Sequence, residues 1–185
     1  HKCDYEKAIY YYTHSLNISK ETDSKSGIGT LLGNIAGIFM EIGDYERAFD
    51  YLNRSQKVLE HSGNKRIQGF NLMGMGWIYY IHNEYEKAIN NIDQSLHIHN
   101  NIGIKIIELD NNIYKFLSYK KLGKPYNVKE IHKLIKEAEN IAFELNFRLY
   151  QLLEDTSYLE TAYNQVQEKA DNLEPDVKTK FLSYP

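Results

Sequence analysis

The chain has 185 residues, 42% of them hydrophobic and 25% charged, with a formal net charge of −3. That balance is too apolar for a disordered segment and, with 11 Gly and 3 Pro, far from a collagen-like one, which leaves a soluble globular unit. A single cysteine, Cys3, cannot close an intrachain disulfide, and no run of about 18 apolar residues is present to cross a bilayer, so a disulfide-stapled fold and a membrane span are excluded and a reducing, cytoplasmic setting is expected. The mild acidity argues against nucleic acid as a partner, because phosphate binding calls for a basic face. The chain starts at His1 without a signal-peptide pattern and reads as a piece of a longer protein.

In chain order the first element carries Asp4-Tyr5-Glu6-Lys7-Ala8-Ile9, and the same pattern returns as Asp44-Tyr45-Glu46-Arg47-Ala48-Phe49 and as Glu84-Tyr85-Glu86-Lys87-Ala88-Ile89, each copy 40 residues after the last. Tyr12/Leu52/Ile92, Ser15/Ser55/Ser95 and Ile18/Val58/Ile98 extend the match at helical spacing. An apolar segment precedes each later hexapeptide, and Gly43, Asn83 and Gly123 mark the break between the two, as helix-ending residues should. The pattern predicts helices over 4–20, 25–42, 44–61, 65–82, 84–100, 103–122, 127–145 and 147–170, with a short terminal helix from near Pro175 through Leu182. Asp4 and Asp44 are expected as N-caps, with Glu6 and Glu46 in the first turn. The fold class is therefore all-α, in stacked antiparallel hairpins.

A helix ending in Gly or Asn, then Asp/Glu-Tyr-Glu-Lys/Arg-Ala-Ile/Phe and a second amphipathic helix, resembles the tetratricopeptide repeat in a long variety of about 40 residues instead of 34. The resemblance implies an α-solenoid wound as a right-handed superhelix: an array over 1–170, with a partial first repeat at 1–22, repeats from about 25, 65 and 103, a capping helix at 147–170, and a tail at 171–185. It also implies a small residue where the two helices approach, an aromatic three residues on, and an Ala at the hairpin crossing. These fall on Ala36, Phe39 and Ala48, then on Gly76, Tyr79 and Ala88. The first copy holds only its second helix, which implies a missing first helix and an open end available for self-association. The fourth unit departs from the pattern, with Phe116 at the small position and an extra residue in Lys124-Pro125-Tyr126-Asn127.

The resemblance further implies that the first helix of each hairpin lines a concave groove. By register the groove candidates are Asn34 and Met40, then Phe70, Met73, Trp77 and Tyr80, then Ile113 and Leu117. Aromatic residues at such positions suit an apolar helix or extended peptide, although an aromatic stripe at helical spacing also suits packing between repeats. A clamp for a C-terminal carboxylate, as in chaperone-binding members, is not expected, because Gly74 and Tyr114 stand where Asn34 would need equivalents.

Catalytic chemistry is not expected. His97 and His99 point to different sides of a helix, while His14, His61, His82 and His132 fall in separate segments, so no metal set forms. Cys3 has no activating motif. Gly27, Gly29, Gly33 and Gly37 resemble a phosphate loop but lack its Lys and preceding strand, and close helix packing accounts for them better. From Lys115 to Lys136 seven lysines face one acid, Glu130, which reads as a solvated outer face or as a site for an acidic partner. No cofactor is expected.

Three functions stay open at this level. One is a non-enzymatic scaffold that binds a protein or peptide in its groove. Another is a regulatory or sensor segment of a larger signalling protein whose ATPase, kinase or cyclase lies elsewhere, since the tail Leu173 to Leu182 resembles segments that close repeat arrays in some multidomain bacterial regulators. The third is peptide-pheromone sensing.

Overall fold

Asp23, Gly43, Gly63, Asn83, Gly103 and Gly123 follow one another at 20-residue intervals, and each has a φ between 48° and 78°. Such left-handed backbone costs glycine nothing and is tolerated by Asn and Asp, so the sequence can end a helix on every beat. At Gly43 the amide of Asp44 donates to the Phe39 carbonyl (2.8 Å) and that of Gly43 to Met40 (3.1 Å), the paired bonds of a Schellman cap. The Asp44 side chain then accepts from the Arg47 amide and starts the next helix. Two helices are thus joined in three residues and must run antiparallel.

The computed structural model describes residues 2–60 and 62–182, with the backbone alone for residues 2–4, 176, 180 and 182. The expectations for the Cys3 thiol, the Asp4 cap and His61 lie outside the described residues, although the first helix runs past Asp4 from its N-terminal side. The chain divides between Ile107 and Glu108 into two units.

The first unit holds α1 (Lys2–Glu21), α2 (Lys25–Glu41), α3 (Tyr45–Leu59), α4 (Lys65–Ile81) and α5 (Tyr85–Asn101). The hairpins α2/α3 and α4/α5 stack, with α1 against α2 and α3 against α4. Leu32, Ile35, Ala36, Phe39, Ala48, Leu52, Met75 and Ile78 form the core together with Leu16 of α1. The small positions meet their purpose: Ala36, Ala48 and Ala88 are fully buried, and a Cβ added to Gly76 would lie 2.6 Å from Ile92 and 3.3 Å from the Ala88 carbonyl. Ser24 and Asn64 cap α2 and α4 through the amides of Gly27 and Ile67.

The second unit holds α6 (Glu108–Lys121), α7 (Val128–Glu137), α8 (Phe143–Leu153), α9 (Thr156–Asp171) and α10 (Pro175–Leu182). Here the expected boundaries are corrected. The helix expected from 103 starts at Glu108. The helix expected over 127–145 stops at Glu137, because the Ile141 carbonyl is taken by the side chains of Asn146 (3.1 Å) and Gln165 (2.8 Å) and the segment before α8 is held extended. The helix expected over 147–170 is two helices, broken where Glu154 takes a φ of 61° and Asp155 caps α9 through the Ser157 amide. Phe116 is buried and stacks on Tyr126 with ring centroids 5.7 Å apart. The turn before α7 is longer than its counterparts, so Asn127 caps α7 and Ile131, four residues on as Ala48 is from Asp44, is the fully buried residue, while Val128 is 41% exposed.

Candidate functional site

The first helices of the complete hairpins, α2 and α4, lie side by side, and small residues set how closely. A Cβ on Gly33 would sit 3.1 Å from the Asn71 side chain, and one on Gly74 would sit 3.1 Å from Leu52 and 3.3 Å from the Met40 sulfur. Gly29 and Gly69 leave pockets filled by Leu59 and His99 of the following helices. Packing therefore accounts for Gly29 and Gly33, as expected, but not for Gly37, where an added Cβ would meet nothing within 4 Å.

Beneath this surface runs a buried polar seam that reading the sequence did not find. Ser55 Oγ donates to the Gly29 carbonyl (2.6 Å) and accepts from Asn71 Nδ2 (2.7 Å). Gln68 Nε2 donates to the Leu59 carbonyl (2.6 Å), and at the exposed end of the seam Asn64 Nδ2 reaches Ser26 Oγ (2.8 Å). The seam ties α2, α3 and α4 together with directional bonds that apolar packing lacks. The one signal of it in the sequence is the recurrence of Ser55 and Ser95 inside an apolar stripe.

The groove candidates separate by depth. Asn34 is exposed, and Met40, Phe70, Met73 and Trp77 are half-buried, each keeping some surface. Phe70 packs edge-on against His99 at 4.7 Å. Tyr80 is 8% exposed and packs against Tyr85, so it serves the hairpin more than the surface. Ile113 and Leu117, at 0% and 2%, belong to the buried part of α6. The helical register that selected these three identifies a face and carries no information on how deeply the face is covered.

Hydrogen bonds from the backbone and side chain of Arg47 hold the Asp44 carboxyl below its usual range. Burial raises the Asp110 carboxyl, and burial lowers His99. Among the described residues no group of three or more His, Cys, Asp and Glu could hold a metal ion. His97 pairs with Asn101 at 3.1 Å. In the lysine-rich segment Lys120 is not a solvated charge as expected: its Nζ donates to the carbonyls of Gln151 (2.9 Å) and Leu152 (3.1 Å) and pairs with Glu154 (2.7 Å), capping the end of α8. No helix is long and apolar enough to cross a membrane among the described residues.

Comparison with known proteins follows the same lines. A tetratricopeptide repeat family model matches residues 27–101. The solved structure of the apo form of RapI is similar with a TM-score of 0.71 at 16% identity, covering 90% of this chain and 50% of that one. BtubC (BKLC) from P. vanneervenii is similar with a TM-score of 0.57 at 20% identity, covering 72% of this chain and 55% of that one. The chain thus spans about half the length of these structures, and at such identities the likeness is one of fold. No curated protein matches the sequence. With hairpins stacked on a 40-residue period and small residues at their crossings, residues 27–101 carry the tetratricopeptide repeat pattern that the family model matches, and the chain has the fold of such helical repeat arrays.

Proposed function

We propose that the chain is a non-catalytic scaffold that binds a protein or peptide on the surface of α2 and α4, with Trp77, Phe70 and Met73 as apolar anchors and Asn34 and Met40 at the edge. The fold is one used to present such surfaces, and fold alone selects no partner. The observation that carries the reading is Gly37. A glycine in the middle of a helix costs about 1 kcal/mol relative to alanine, and here no neighbour needs its small size. Trp77 stands 40 residues on, at the same register position. An empty site on α2 matched by a large amphipathic ring on α4 suits a partner backbone that comes close to one helix while its side chain rests on the other.

Affinity capture with wild type, Trp77→Ala and Gly37→Ala tests this, with circular dichroism to follow the fold. Gly37→Ala is expected to raise the melting temperature and to weaken capture, and Trp77→Ala to abolish capture while the protein stays helical. A Gly37→Ala protein that is more stable and binds as well as wild type would remove α2 from the site. Equal capture by folded Trp77→Ala would remove the site altogether.

A further inference from the structure

The two complete hairpins of the first unit differ in kind at one buried position. In the first, Leu59 fills the space over Gly29, where an added Cβ would lie 2.4 Å from its Cδ2. In the second, 40 residues on, the same space over Gly69 holds His99, with an added Cβ 2.5 Å from the ring's Cε1. His99 is 0% exposed. Its Nδ1 lies 3.2 Å from Ser95 Oγ, its Nε2 is buried and makes no well-formed hydrogen bond, and the ring of Phe70 rests on it. From α4 the charged group that faces the ring is Arg66, whose guanidinium lies over Phe70 at 5.8 Å. From α5 the group acting on it is Ser95, and among the described residues no carboxylate does.

An imidazole in a leucine's place is tolerable while neutral. Protonated, it places a charge in an apolar pocket beside a cation, with only the Ser95 and Arg66 backbones to accept from its two N–H donors. We propose that His99 is an acid-sensitive latch in the α4/α5 hairpin: a proton taken up by its ring drives the imidazolium from the Gly69 pocket and loosens α4 from α5, with Phe70 the first side chain to move. Burial holds the ring below the ordinary value of 6.5, and the Arg66 charge acts the same way, against the hydrogen bonds that the ring donates to the backbone carbonyls of Ser95 and Arg66. The sign follows. The unfolded chain takes its proton near 6.5 while the folded one resists, so stability is full above that pH and falls as the pH drops toward the folded value. Because Phe70 also lines the proposed groove, acid would weaken partner binding. That consequence rests on the groove reading, whereas the latch does not.

The test is a histidine NMR titration of the wild-type protein, paired with melting temperatures of wild type and His99→Leu at about pH 7.5 and about pH 5.5. Leu59 is the precedent for leucine in this pocket. The expected result is a His99 ring that titrates below 6.5 or only as the hairpin unfolds, Phe70 signals that shift with the same midpoint, and a fall in melting temperature on acidification that is larger in wild type than in His99→Leu. A His99 that titrates at or above 6.5 with the fold intact, or an equal fall in both proteins, would overturn the latch. If the leucine variant does not fold, the wild-type titration and the Phe70 signals decide alone. A latch that behaves as expected, with partner capture equally strong at both pH values, would leave it standing and remove Phe70 from the groove.

Discussion

Ser15, Ser55 and Ser95 share one register position, and their surroundings show what a repeat position is worth. Ser15 is exposed on α1, whereas Ser55 and Ser95 are fully buried, Ser55 against Gly29 of α2 and Ser95 beside His99. The Ser55 hydroxyl both donates to Gly29 and accepts from Asn71. Removing it takes the second partner of the Gly29 carbonyl, whose helix bond remains, and leaves the Asn71 amide only the Gln56 Oε1 at 3.4 Å, a loss of about 1–2 kcal/mol. Ser55→Ala is therefore expected to lose about 1–2 kcal/mol in urea denaturation, and Ser15→Ala to stay within about 0.5 kcal/mol of wild type. Equal losses at the two sites would mean that the seam contributes nothing beyond helix propensity. The pair also separates sequence from environment, since nothing in the residue type distinguishes Ser15 from Ser55.

Helix ends tell a similar story at the scale of elements. The turns at Gly43, Asn83 and Gly123 were legible because the signal is local: a residue that tolerates positive φ followed closely by a capping side chain or a charged first turn. Asp23, Gly63 and Gly103 obey the same rule and complete the 20-residue beat. The ends of α7 and α8 were not legible, because their causes lie far along the chain. Ile141 is held by Asn146 and Gln165, and the end of α8 is fixed by Lys120 and by the Tyr126 hydroxyl, which donates to the Leu152 carbonyl at 3.2 Å. Depth escaped for the same reason: periodicity put Tyr80, Ile113 and Leu117 on the right faces and could not say that other helices cover them. Lys120 gives a prediction at this scale. Its ammonium answers the negative end of α8, so Lys120→Met is expected to cost about 1–2 kcal/mol through the two carbonyls it leaves. Glu154→Gln, altering an exposed partner, is expected to have little effect on the melting temperature. A Lys120→Met protein as stable as wild type would show that water replaces the ammonium at those carbonyls.

For the whole molecule the question is whether charge or apolar surface brings a partner in. The net charge of −3 is small, and the basic bias between Lys115 and Lys136 is weaker in space than in sequence. Lys120 is committed to α8, Lys133 lies 3.8 Å from Glu137, and Lys115 lies over the Tyr119 ring. Partners bound through phosphates or carboxylates release counterions, and a site that neutralises several charges loses orders of magnitude in affinity as salt rises. Apolar anchors lose nothing comparable, because burying Trp77, Phe70 and Met73 involves no screened charge. Capture of the partner is therefore expected to change by less than about tenfold between 50 mM and 500 mM salt. Lys129→Glu with Lys136→Glu is expected to leave it unaltered, while Trp77→Ala abolishes it at every salt concentration. A steep loss of capture with salt, repeated by the lysine pair and absent in Trp77→Ala, would shift the binding surface from α2 and α4 to the outer face of α7 and make the partner an acidic one.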